Sequence, residues 1–150
     1  MNAKIADISY EKDFYAWAIH NAALLKQGRI AEIDIKNIAE ELESMGKRDK
    51  RQIVNRFIVL LVHLLKWEFQ PENRSSGWKG SMIEQRRRVN QLLEDSPSLH
   101  NELDTKLDYT YAEALKQASI ETGLDQSFFP RQCPYSKAQL LDDEFYPGEK

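Results

Sequence analysis

All five prolines of this 150-residue chain lie at or beyond position 71, and only six glycines are spread along its length. Proline removes a backbone donor and clashes with the preceding helical turn, and glycine carries the largest backbone entropy cost. The first seventy residues are therefore almost free of helix breakers, which favours long helices. No strand-like alternation persists for more than a few residues. The expected class is all-α: a single-domain helical bundle of about five helices with a short one near the C-terminus. Three Trp, six Tyr and six Phe in a chain that is 41% hydrophobic give enough apolar mass for a core without metals or disulfides.

Spacing and caps divide the chain as follows. A first helix runs from Tyr10 or Asp13 to Gln27, with Phe14, Trp17, Ala18 and Leu25 on one face and Gly28 as its C′ glycine. Asp34 is placed to cap a second helix, with Ile33 and Ile38 spaced as a hydrophobic staple. Ile35, Ile38, Leu42 and Met45 form its inward face, and Gly46 is expected to close it. A third helix, Lys47 to Phe69, contains the run Phe57–Leu65, apolar on most sides, which predicts a central position; Pro71 stops it. A fourth helix spans Gly77 to Glu94 with Ser75 or Ser76 as cap, and Trp78, Met82, Val89, Leu92 and Leu93 inward. Ser96-Pro97 reads as the start of a fifth helix reaching Thr122, closed by a Schellman turn at Gly123-Leu124. Ser136 and Gln139 fit a capping box for a short helix from Lys137 to Asp142.

Charge is uneven. Residues 1–45 carry 5 basic and 8 acidic groups, residues 46–95 carry 11 and 6, and residues 96–150 carry 5 and 10. The basic middle is expected to pack against acidic flanks, with an anionic partner as the alternative. Cys133 is the one cysteine and forms no internal disulfide, which suits a reducing, cytoplasmic setting. The first residues have no apolar core of a signal peptide, and no apolar run is long enough for a bilayer, so no membrane partner is expected.

Few residues invite chemistry. His63 lies away from the apolar side of its helix, on a stripe with Gln52, Arg56, Trp67 and Gln70; an imidazole there suits a proton shuttle, a metal ligand or a partner contact. Glu41 flanks the second helix's apolar face and, across a short connection at Gly46, would meet His63 or Arg56. Arg86, Arg87 and Arg88 point in three directions; Gln85 and Arg86 turn inward and want buried partners, such as Glu41 or a backbone carbonyl. A cleft built from His63, Trp67, Arg74, Trp78 and Gln85 would collect these groups. No metal or cofactor is expected, because no Gly-rich phosphate loop, G-x-S-x-G or zinc-type spacing occurs. Cys133 sits in an apolar stretch and reads as a structural thiol.

The stretches DFYAWA (13–18), IAEELESMGK (38–47), LLVHLLKW (60–67) with QP (70–71), SPSL (96–99), ETGL (121–124), FPRQCPYS (129–136) and QLLDDEF (139–145) resemble the domain-of-unknown-function 29 family, in the family's order and over essentially the whole chain. Those are small bacterial proteins made almost wholly of this domain. The resemblance implies an α-helical fold and carries no assigned activity, so it supplies no catalytic residues. Three functions stand open: a module that binds a protein partner or itself, which the wealth of apolar helix faces favours; a nucleic-acid binder using the basic 47–88 segment; and an enzyme using His63 with Glu41, with Arg56 or Arg86 as an anion anchor.

Overall fold

The computed structural model describes residues 7–148. Among them are six α-helices and three single 3-10 turns, and no strand. The helices are α1 (Phe14–Lys26), α2 (Ile35–Phe69), α3 (Ser76–Asp95), α4 (Leu99–Thr105), α5 (Leu107–Thr122) and α6 (Lys137–Leu141). Backbone contacts group the chain, read above as one domain, into two compact units, Met1–Gly46 and Lys47–Lys150. No described helix is long and apolar enough to cross a membrane.

In the first unit, Asp13 caps α1 by accepting from the Ala16 amide at 3.0 Å. Gly28, at φ 71°, turns the chain out of the helix. A polar clasp then ties α1 to the start of α2. The Trp17 indole donates to Asp34 Oδ2 at 2.9 Å, and the Asp34 amide donates to Asn21 Oδ1 at 2.8 Å. The Asn21 amide group donates back to the Trp17 carbonyl, and Asp34 also caps α2 through the Asn37 amide. Hydrogen bonds from Asn37 and Trp17 hold the Asp34 carboxyl below its usual range. The apolar core of this unit is small: among its described residues, Trp17 and Leu24 are the buried hydrophobic ones. Phe14 and Leu25, expected on one face with Trp17 and Ala18, are both exposed, and Asn21 takes an interior position instead.

The second unit is organised by the latter part of α2. Ile53, Phe57, Leu60, Leu61, Leu64 and Leu65 are at most 1% exposed. Met82, Val89 and Leu93 of α3, Leu99 and Leu103 of α4, and Tyr111, Ala114 and Ala118 of α5 join them in one cluster, with Phe129, Tyr135 and Leu140 from the C-terminal segment. Each fully buried Leu or Phe contributes roughly 1.5–3 kcal/mol of transfer free energy. Ser75 caps α3 through the Trp78 amide, and Ser136 with Gln139 forms the capping box that starts α6.

Three boundaries differ from the sequence reading. Gly46 does not close a helix: α2 runs through it without a break, at a negative φ. Glycine ends a helix by entering the left-handed region, as Gly28 and Gly123 do, and nothing drives Gly46 there. With no turn to fold it back, the face expected to be buried is open: Ile35 is 65% exposed, Leu42 63% and Met45 56%. Ser96 is not an N-cap but the C-cap of α3, and α4 begins only at Leu99, after bonds of the i to i+3 kind from Leu99 and His100 back to Ser96 and Pro97. The expected fifth helix is two, parted at Lys106 (φ −106°, ψ 11°). There the Thr105 hydroxyl donates to the Asn101 and Glu102 carbonyls, competing with the helical ladder. At the far end, Leu124 donates its amide to Thr122 Oγ1, in place of the carbonyl a Schellman turn would use.

A Cβ at Gly46 would meet nothing within 4 Å. Gly46→Ala therefore stabilises the chain by about 1 kcal/mol in chemical denaturation, the helix-propensity difference. Gly123→Ala, at φ 74°, destabilises it.

Candidate functional site

The polar residues singled out in the sequence fall into separate groups. Arg86 is the most constrained. It sits on α3 and is fully buried. Its Nε donates to the Leu140 carbonyl at 2.9 Å and its Nη2 to the Gln139 carbonyl at 3.2 Å. Asn90, one turn on, donates to the Leu141 carbonyl at 3.4 Å. The guanidinium therefore binds carbonyls at the end of α6, where the helix dipole is negative; the Gln139 carbonyl also accepts from the Asp142 amide. Of the two partners open in the sequence, Arg86 has taken the backbone carbonyl. Burial pulls the guanidinium below its usual range, opposed by charge on Tyr146, Asp143 and Asp142.

Tyr146 is the residue that sequence reasoning missed. Its ring stands 5.5 Å from that of Trp67, with Lys79 Nζ at 4.8 Å and Arg86 Cζ at 5.7 Å from its centroid. Arg74 lies over the other aromatic: its Cζ is 4.9 Å from the Trp67 centroid, and its Nε donates to the Trp67 carbonyl at 2.7 Å. Arg74 Nη2 also donates to the Pro147 carbonyl at 3.4 Å. So Trp67, Arg74 and Arg86 do converge, around an aromatic of the C-terminal segment. The one sequence signal for it was the Phe145-Tyr146-Pro147 triplet in an irregular stretch.

The remaining candidates make other contacts. Arg56 donates to Gln85 Oε1 at 3.3 Å. Trp78 lies under Lys66, whose Nζ is 4.7 Å from the ring. His63 is half-buried, with Nδ1 2.8 Å from the Val59 carbonyl one turn back on its own helix. Glu41 belongs to the first unit and accepts a hydrogen bond from the Tyr10 hydroxyl. The pairing of Glu41 with His63 presupposed a turn at Gly46; both residues lie on the uninterrupted α2, and the pairing loses its premise. The arginine triplet is likewise no basic patch. Arg86 is interior, and Arg87 and Arg88 both bind Glu84, at 3.1 and 2.8 Å.

Burial pushes the Cys133 thiol up, opposite to what a thiolate nucleophile requires, and its Sγ lies 3.5 Å from the Tyr135 carbonyl. Among the described residues no group of three or more His, Cys, Asp or Glu is arranged to hold a metal ion. Of the clefts in the second unit, two are lined by more than one cation. One, of about 600 Å³, lies between α3 and the C-terminal segment, lined by Lys79, Arg87, Asn90, Glu94, Asp143 and Tyr146 with charges of both signs. The other, of about 400 Å³, is lined by Lys47, Lys50, Arg51, Val54, Asn55, Lys106 and Tyr109.

Arg86→Ala leaves two carbonyls without their charged donor and is expected to cost about 3 kcal/mol in urea unfolding, with Arg86→Lys restoring little of it. A second outcome concerns alkaline pH. Burial, with charges at Cys133 and Glu68, pushes the Tyr111 hydroxyl up to about 12 from an ordinary 10.0. A raised folded-state value gives stability that is complete below pH 10 and is lost as pH climbs from there toward 12. Tyr111→Phe should flatten that part of the stability-versus-pH curve, at the cost of the 2.6 Å bond to the Pro130 carbonyl.

The comparisons with known proteins point one way. The family model described as Domain of unknown function DUF29 matches residues 9–146. Among curated proteins and solved structures nothing matches the chain. A match that takes in all six helices is a match to the fold as a whole, and the chain belongs to the DUF29 family.

Proposed function

We propose that this chain is a protein-interaction module working in the cytoplasm, and that its N-terminal unit receives a basic, amphipathic helix of a partner protein. One observation carries the reading. Nine of the thirteen large hydrophobic residues exposed among the described ones belong to the first unit, which buries only two. Ile35, Leu42 and Met45, with the half-buried Ile38 between them, recur at spacings of three and four, so they form one continuous helical stripe. Exposed apolar surface of this kind marks a binding face more often than an idle one. Glu40 and Glu43 lie exposed beside the stripe, and residues 1–45 carry net charge −3. A second acidic face would be repelled there, whereas a basic rim around an apolar seam complements it. A reducing compartment suits the single cysteine, Cys133.

The test uses two synthetic helical peptides, one with leucines on one face and lysines on the other, the second with glutamates in place of the lysines. Fluorescence titration should show the lysine peptide binding, more weakly as salt rises, and the glutamate peptide not binding. Leu42→Glu with Met45→Glu should weaken binding by at least about tenfold and leave the far-ultraviolet circular dichroism unchanged, since both positions are solvent-facing. Equal binding of both peptides, or of neither, rejects the proposal.

A further inference from the structure

The smaller cleft of the second unit carries an inference independent of the N-terminal face. Lys47, Lys50 and Arg51 reach it from α2 and Lys106 from the joint between α4 and α5, and no carboxylate lines it. Four cations share about 400 Å³, a size suited to a small molecule. One of them is answered: Lys50 pairs with Glu102 at 3.1 Å, both partly exposed. No ion pair among the described residues involves Lys47, Arg51 or Lys106. Like charges held this close repel one another, and an anion between them removes that repulsion. The fourth cation, Lys106, stands at the break between α4 and α5.

The cleft also has an aromatic wall. Tyr109 is 54% exposed, with Lys106 Nζ 5.8 Å from its ring centroid. Beyond Tyr109 and Asn55 the surface continues as a second groove with Ile58, Val59 and Ile120. The charges in that groove, Glu113 and Lys116, pair with each other at 3.3 Å. The cationic end and the aromatic, neutral end thus adjoin. A ligand with phosphates at one end and a flat ring at the other matches both.

We infer that this cleft binds a free nucleotide, its phosphates among Lys47, Arg51 and Lys106 and its base against Tyr109. A nucleic-acid strand shares that chemistry. The extent of the cleft decides between them: its four cations share about 400 Å³, room for a small molecule, and outside it residues 46–95 at +5 and 96–150 at −5 cancel, which offers a long polyanion no net attraction.

Isothermal titration calorimetry in buffer with EDTA tests this with ATP, adenosine, pyrophosphate and a fifteen-residue oligothymidylate. ATP should bind, less tightly as salt rises, and adenosine should not bind detectably. Arg51→Ala and Lys106→Ala should each weaken ATP by about tenfold, as loss of a charge-assisted bond does. Tyr109→Ala should weaken ATP but not pyrophosphate, and Tyr109→Phe should bind ATP like the parent. The inference is overturned if ATP does not bind at millimolar concentration, or binds equally well after Lys47, Arg51 and Lys106 are all changed to Ala. It is overturned in favour of bare polyphosphate if Tyr109→Ala leaves ATP unaffected, and in favour of a strand if oligothymidylate binds more than about tenfold tighter than ATP. Unchanged circular dichroism of the variants establishes that each is folded.

Discussion

A helix that is apolar on nearly every side must be enclosed, and the stretch of α2 from Ile53 to Trp67 imposes that condition on everything around it. Nine of its residues are buried. Water on any of those faces would cost transfer free energy of about 25 cal/mol per Å². Each neighbouring element therefore contributes an apolar face to the same cluster: Met82 and Val89, Leu103, Tyr111 and Ala114, and Leu140. The small residues Ala114 and Ala118 of α5 are both fully buried in this cluster. The C-terminal segment is drawn in on the same terms. Its Tyr135 places a hydroxyl 2.6 Å from Glu68 Oε2 and 3.3 Å from the Leu64 carbonyl, a donor facing acceptors of α2.

The sequence spoke clearly wherever one local rule decided the outcome. The proline at 71, the serine caps at 75 and 136 and the left-handed glycines at 28 and 123 all do what their chemistry requires. It was ambiguous where two rules competed. Gly46 is either a C′ residue or an ordinary helical glycine, and only the absence of a return turn chooses between them. Thr105 looks like a tolerable helix residue, yet its hydroxyl takes two carbonyls and the helix parts beside it. These two positions account for the difference between five expected helices with a sixth short one and the observed arrangement, because one merges two helices and the other divides one.

The polar residues follow the same logic. That Arg86 turns inward was legible from the spacing of Trp78, Met82 and Val89, but its partners were not, because a backbone carbonyl leaves no mark in a sequence. A guanidinium among three arginines looks like part of a cationic surface. The structure separates the triplet by function: one residue ties α3 to the end of α6, and its two neighbours are neutralised by Glu84. The cationic surface lies elsewhere, at Lys47, Lys50 and Arg51, joined by Lys106 from the break between α4 and α5, more than fifty positions away.

The N-terminal unit reverses the balance found in the rest of the chain. Its elements are joined by directed polar bonds, Trp17 to Asp34 and Asp34 to Asn21, more than by burial. Such bonds contribute only about 1 kcal/mol each to net stability, but they fix geometry tightly. An element held that way can keep its shape while its apolar side chains stay in water. A unit built around its own core would have turned Leu42 and Met45 inward and left no face to offer. The start of α2 is thus fixed by a polar clasp while its stripe of Ile35, Leu42 and Met45 stays exposed.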